Sequence, residues 1–254
     1  MHDIEMHGIS EKFALCWQAA GRHIQRQVLG PLHSWLKVNI TPPFLEHLSF
    51  RLGNQLLFLR IEDVEGKLEV PGNRHGLLSI AEGCKGHACV MPMRRKGGAW
   101  LPATSGWGLL DLATGTPIDP VALVSDELIE MTDWELQDFA VQIVRDHLDK
   151  QGRKLMSWQG NPSVDPSIWF VGDSGPEWVV VRAAKYPKKM AEPPRNWRAI
   201  AERCARIGKS GHFASVSVAN ADDAFDPTGA IPPTPLWRGH RMLASFDGTV
   251  PGPK

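Results

Sequence analysis

The sequence predicts an α+β protein: a β-rich N-terminal half with a leading helix, then a half ordered αβββαβ. Apolar residues recur at spacings of three and four around residues 11–29 and again after Thr132, the signal of amphipathic helices. Three short runs rich in β-branched and aromatic residues follow the second helix, separated by turn-forming sequences. Glycine and proline break up the region between, as expected of short strands.

The first helix spans residues 11–29, with Phe13, Cys16, Trp17, Ala20, Ile24 and Val28 on one stripe, and Gly30-Pro31 ends it. After Pro42-Pro43, residues 47–51 and 55–62 read as strands joined by a turn at Leu52-Gly53-Asn54. Residues 70–120 read as short strands and turns. Thr132 followed by Glu135 is a capping box, in which each side chain satisfies a backbone donor of the first helical turn. Leu136, Phe139, Ala140, Ile143, Val144 and Leu148 continue that helix to Gly152. Strands follow at 154–159, 167–172 and 178–184, with Asp173-Ser174-Gly175-Pro176 as the turn between the last two. Trp197, Ile200, Ala201, Cys204 and Ile207 mark another helix, closed by Gly208. Residues 213–218 alternate as a fourth strand, Phe213, Ser215 and Ser217 against Ala214, Val216 and Val218. A Pro-rich connection at 227–235 leads to a last strand at 240–246, and the tail from Pro251 reads as disordered. There is no internal repeat in the letters. The division falls near residue 125, giving a β-rich domain at 1–125 and an αβββαβ domain at 126–254.

Composition excludes several classes. Apolar residues make up 43% and charged residues 22% of 254, ordinary for a globular chain. The longest apolar runs, such as Leu56-Leu57-Phe58-Leu59, are too short to cross a bilayer. Asp3 and Glu5 without an apolar core argue against a secretory signal, and cytoplasmic residence is the expectation. Four cysteines do not make a disulfide framework in a chain this long; Cys16 and Cys204 fit helical core positions. Charge is segregated under a zero total: residues 111–150 carry ten Asp or Glu against two Lys or Arg, and residues 151–209 carry eleven basic against five acidic. Such asymmetry suits an anion-binding face or, more simply, solvated surfaces of opposite sign.

Helix, three-strand meander, helix, strand is also the core order of the PD-(D/E)xK nucleases. Val164-Asp165-Pro166 resembles that superfamily's strand aspartate, and Val179 to Lys185 resembles its third strand, over roughly residues 132–218. The resemblance implies a restriction-endonuclease-like fold and Mg²⁺-dependent phosphodiester hydrolysis, with Asp165 as the candidate metal ligand. This sequence departs from the motif. With the turn at 173–176, Arg182 becomes the diagonal neighbour of Asp165, where the superfamily has a second carboxylate. A guanidinium there repels a divalent ion and pairs with Asp165, while Lys185 falls on the other face. Glu177 lies at the turn end, roughly 23 Å from Ala184 at strand rise, too far to share an ion. Glu135 and Asp138 on the preceding helix are the other carboxylates near the sheet. The type III secretion chaperone and YbjN-like fold begins with a similar order.

Other constellations are weaker. His75, Cys84, His87 and Cys89 have the chemistry of a zinc site but not its spacing. Met91 to Gly98 is a basic loop, of a kind that usually faces water. Trp158, Trp169 and Trp178 fall on strands, where packing explains them. The histidines show no HExxH, Ser105 is in no GxSxG elbow, and Gly83 to Gly86 lacks the following Lys-Ser or Lys-Thr of a phosphate loop. The expectation is therefore a non-catalytic binding module with no cofactor, Mg²⁺ and Zn²⁺ being the alternatives. Arg182, Lys185, Lys188, Lys189 and Arg198 are its anion-binding candidates, within a basic segment at 182–209. Nucleic acid or another anionic partner, or a protein partner, fits this segment, and no membrane is expected. A metal-dependent nuclease with migrated residues and a chaperone-like protein-interaction module are the alternatives.

Overall fold

The computed structural model describes residues 10–27 and 48–253. The predicted helix end at 28–31, the residues at 42–47 and Lys254 lie outside the described residues. The architecture is α+β, and the chain divides into two compact units, Met1–Glu127 and Leu128–Lys254. No helix among the described residues is long and apolar enough to cross a membrane.

In the first unit α1 (Glu11–Gln27) precedes β1 (Leu48–Leu52) and β2 (Gln55–Asp63). These pair as a hairpin, Leu52 opposite Gln55, with Gly53 at φ +55°. A two-residue turn demands that left-handed backbone, which glycine adopts without steric cost. Helix α2 (Arg74–Gly83) then crosses to β3 (His87–Lys96), which runs parallel to β2. Its sequence reads instead as strand, because Gly76 and Gly83 dilute the apolar stripe. Asn73 caps it by accepting from Gly76 N at 2.6 Å, and Leu77 and Ala81 bury its inner face. The unit closes with β4 (Ala99–Pro102), β5 (Leu109–Asp111), β6 (Pro117–Ile118) and the short α3 (Pro120–Leu123). Sheet order is β1-β2-β3-β5-β6, with β4 also on β3. Phe13, Trp17, Phe50, Leu59, Met91 and Met93 lie in one core under α1.

The second unit contains α4 (Asp133–Lys150), β7 (Lys154–Trp158), β8 (Ile168–Gly172), β9 (Gly175–Lys185), α5 (Trp197–Cys204), β10 (Ser210–Asn220), β11 (Met242–Ser245) and β12 (Val250–Pro251). The capping box forms as predicted: Glu135 N donates to Thr132 Oγ1, and Glu135 Oε2 accepts from Thr132 N at 2.9 Å. Sheet order is β7-β8-β9-β10-β11, with β12 also on β10; only β9 and β10 are parallel. The β8–β9 turn is tighter than predicted, with Gly172 opposite Gly175. Helix α5 ends at Cys204, a turn earlier than predicted, and leaves Ile207 exposed. The tail is ordered rather than loose: Val250 and Pro251 pair with Phe213 and His212, and Gly252 N donates to Gly211 O at 2.9 Å.

Although no repeat is visible in the letters, the two units share part of their element order. Each has a helix, an antiparallel hairpin with a two-residue turn, a crossover helix and a parallel strand, whereas β7 of the second unit and β6 and α3 of the first have no counterpart among the described residues. Each then lays two short strands along the far edge of that strand. The first covers its C-terminal end (β4, β11) and the second its N-terminal end (β5, β12).

Candidate anion-binding face

Strand alternation sorts β9 between two surfaces. Val179 and Val181 pack with Ala140, Val144 and Leu148 of α4, whereas Trp178 and Val180 pack with Ile200 and Cys204 of α5 and with Phe213. Helices α4 and α5 therefore cover opposite faces of this sheet. Each fully buried large side chain contributes roughly 1.5–3 kcal/mol through the apolar area it removes from water, so the two clusters hold both helices in place. The Trp178 indole donates to Gly208 O at 3.1 Å, tying the strand to the α5–β10 connection. Trp197 lies 5.1 Å from Trp178, and Gly252 comes so close that an added Cβ would overlap the Trp197 ring.

The connection between β9 and α5 crosses the α5 face. The alternation that places Phe213 there also places Ser215 and Ser217 there. Ala191 N donates to Ser215 Oγ at 2.8 Å, and Ser217 Oγ donates to Lys188 O at 3.1 Å. These small hydroxyls leave room for a chain to lie on the strand and satisfy its backbone groups. Sequence reading finds the alternation but not this role, because an exposed serine face and a covered one look alike.

Residues 186–209 carry seven Lys or Arg against Glu192 and Glu202. Lys188, Lys189, Arg195, Arg203, Arg206 and Lys209 are exposed and, among the described residues, have no ion pair. Arg198 is 93% exposed and meets Glu202 at 3.1 Å, one helical turn on, a surface pair of about 0.3–0.5 kcal/mol. Helix α4, on the other face, carries five Asp or Glu against Arg145 and Lys150. Of these, Glu135 and Asp138 are buried, which leaves Asp133, Asp146 and Asp149 against the two cations, so the charge imbalance of this unit lies on the α5 face.

Besides Arg198, two more of the five predicted binding residues are already engaged. Arg182 Nη1 and Nη2 donate to the two oxygens of Asp165 at 2.9 and 2.6 Å, with side chains 21% and 9% exposed. The tighter turn makes them direct rather than diagonal neighbours: carried past Ile168, the β8–β9 register sets residue 165 level with 182. Lys185 pairs with Glu130. Asp165 and Arg203 both act on the Cys204 thiol, with opposite sign, but burial dominates and pushes it up to about 11, so it is an inert core group.

The carboxylates considered as metal partners are also committed. Glu135 accepts from Arg238 Nε and Nη2 at 2.8 and 2.7 Å, with side chains 3% and 0% exposed. Asp138 is buried, accepts from Gln142 at 2.7 Å and packs so tightly against Gly160 that a Cβ there would overlap its carboxylate. Glu177 meets His212 at 2.7 Å.

The four zinc candidates do not converge, although His75 and His87 line one cavity with Glu82 and Asp111. Cys84 is the buried C-cap of α2, and Cys89 lies in the α1-side core, its thiol pushed up to about 12 chiefly by burial. His87 Nε2 lies 2.9 Å from Gln55 Oε1, and His75 is exposed on α2. Among the described residues no group of three or more His, Cys, Asp or Glu is placed to hold a metal.

Sequence reading missed Arg238, 103 residues from its partner Glu135. It also missed Gln137, whose amide donates to Val181 O at 2.8 Å and accepts from Ala183 N at 3.2 Å where β8 has left the ladder. No local pattern marks either.

Comparison with known proteins adds one likeness. No curated protein and no solved structure matches the chain. Residues 134–251, from the first turn of α4 to the last strand, are similar to a family described as a domain of unknown function (DUF8840).

Proposed function

We propose that the second unit is a non-catalytic binding module that holds a polyanion, nucleic acid first, on its α5 face. The observation that supports it is the set of six exposed cations without ion pairs among the described residues: Lys188, Lys189 and Arg195 on a connection pinned to β10 through Ser215 and Ser217, and Arg203, Arg206 and Lys209 on α5 and the turn after it. An unpaired Lys or Arg keeps its full charge for a phosphate, and releasing condensed counterions is the main driving force of such binding. The nuclease-like element order supports kinship with that fold but carries no activity by itself. Both oxygens of Asp165 are held by a guanidinium, which favours a structural role for this carboxylate over metal ligation.

The test is a salt titration of binding to a 25-base-pair DNA duplex. The log of the affinity should fall linearly with log salt, and replacing Lys188, Lys189, Arg203 and Arg206 by Gln should flatten the line. The slope should drop by about 0.9 for each phosphate that is no longer neutralised. Binding that ignores salt, or a variant with the parent slope, sinks the reading. Retention on an acidic protein but not on DNA would point to the protein-partner alternative.

A further inference from the structure

We propose that the β3–β4 hairpin of the first unit is a second point of attachment, a basic ribbon that enters the major groove of duplex DNA. It rests on the reading of the chain as a nucleic-acid binder, but on different residues.

The predicted basic loop at 91–98 is a strand pair with a tight end. Met93 pairs with Pro102, Arg94 with Leu101, Arg95 with Trp100 and Lys96 with Ala99. Gly97 and Gly98 close it at φ +57° and +84°, the left-handed pair that matches the twist of a two-residue hairpin. Its base is firm. Met93 is fully buried in the α1-side core, Trp100 packs against that core, and Ala103 N donates to Pro92 O at 2.7 Å. Beyond Met93 strand β2 has ended, so the two strands continue alone.

Arg94, Arg95 and Lys96 are exposed and, among the described residues, have no ion pair. Arg94 and Lys96 share one face of the ribbon, two residues apart, with no acidic residue opposite. Like charges on one exposed face repel each other only weakly through water, and a polyanion draws on both at once. Arg95 emerges on the other face, so cations flank the ribbon on both sides, where a groove has its phosphate walls.

Dimensions select the ligand. Three residues past Met93 reach about 10 Å at strand rise, comparable with a major groove about 8.5 Å deep. Two strands about 4.8 Å apart with their side chains suit its width of about 12 Å, whereas a minor groove about 6 Å wide is too narrow. The major groove of A-form RNA is deep and too narrow to enter. The hairpin therefore fits duplex DNA and not duplex RNA.

The test uses the full chain with Arg94, Arg95 and Lys96 replaced together by Gln. All three side chains are exposed, so the urea unfolding midpoint should equal that of the parent, which serves as the folding control. Against a 25-base-pair DNA duplex the salt slope should drop by about 2 to 3, near 0.9 per phosphate. Against an RNA duplex of the same sequence the parent should show a lower slope than on DNA, and the variant no further drop. An unchanged DNA slope, or an equal drop on both duplexes, overturns the groove assignment and leaves the cations as guards of open strand edges. The four α5-face substitutions separate the two readings. If they remove DNA binding while the hairpin variant matches the parent, the hairpin inference falls alone. If they change nothing while the hairpin variant loses slope, the α5 face falls and the hairpin stands. A parent that binds no DNA sinks both.

Discussion

Arg238→Ala should destabilise the second unit far more than its distance in sequence suggests. The Arg238 guanidinium is fully buried and donates to both oxygens of Glu135, one of which also accepts from Thr132 N and Oγ1. Removing the arginine strands a carboxylate that is 3% exposed. Breaking a buried pair from one side costs about 3–5 kcal/mol, since the remaining charge loses both water and partner. The same cut loosens the strip where Arg238 N donates to Ile129 O and Met131 N to Leu236 O. The assay is urea unfolding at neutral pH, with hydrogen exchange at the backbone amides of positions 131 and 238 to report on this strip. Adding Glu135→Gln keeps the capping geometry, because Gln serves at that position, and removes the orphaned charge. The double variant should therefore recover about 1–3 kcal/mol of the loss, the penalty of an unsatisfied buried group. A double variant no more stable than Arg238→Ala alone would show that charge burial is not the cause, and a single-variant loss below about 1 kcal/mol would remove the pair from any structural role.

Other outcomes follow from neighbouring features. Gln137→Leu leaves the Val181 carbonyl and Ala183 amide without their side-chain partner, at about 1–3 kcal/mol each, and the Ala183 amide should exchange faster; unchanged exchange there refutes the bridging role. Gly252→Ala puts a Cβ into the space of the Trp197 ring, so β12 or the indole must shift, visible as altered tryptophan fluorescence without loss of the α4-side core. Asp111 is held below the usual carboxylate range first by the Thr114 backbone N–H and also by its hydroxyl and the Ala113 N–H. Its stabilisation is complete above the ordinary Asp range and is lost as pH falls through the lowered value. Asp111→Asn should flatten that part of the acid limb, by a small amount because the group is largely solvated; an unaltered limb would contradict the assignment.

Local physics made most elements legible. The Thr132–Glu135 box, the apolar stripe of α4 and the alternation of β10 each report one periodicity with one structural solution. Helix α2 was hidden because Gly76 and Gly83 break a ten-residue stripe whose start is set by an asparagine cap. The turn at Asp173-Ser174 shows how register escapes sequence: a two-residue and a four-residue turn give registers two residues apart, which leaves every side chain on its face, so alternation alone does not choose between them. The pairing of Arg182 with Asp165 survived that error because a long side chain reaches both partners. Of the anion-binding candidates, exposed Lys188 and Lys189 could be guessed from a polar run between strand and helix. The engagement of Lys185 by Glu130 could not, since it joins residues 55 apart.

The two hairpins carry charge at one equivalent station. Counted from their two-residue turns, Glu62 in the first unit holds the place of Arg182 in the second, and it too is held by opposite charge, meeting Arg60 at 2.9 Å and Arg74 at 2.6 Å. The same point past the turn thus holds a charge clasped by its opposite in both units, with the sign reversed: a carboxylate between two guanidinium groups in the first, a guanidinium on a carboxylate in the second.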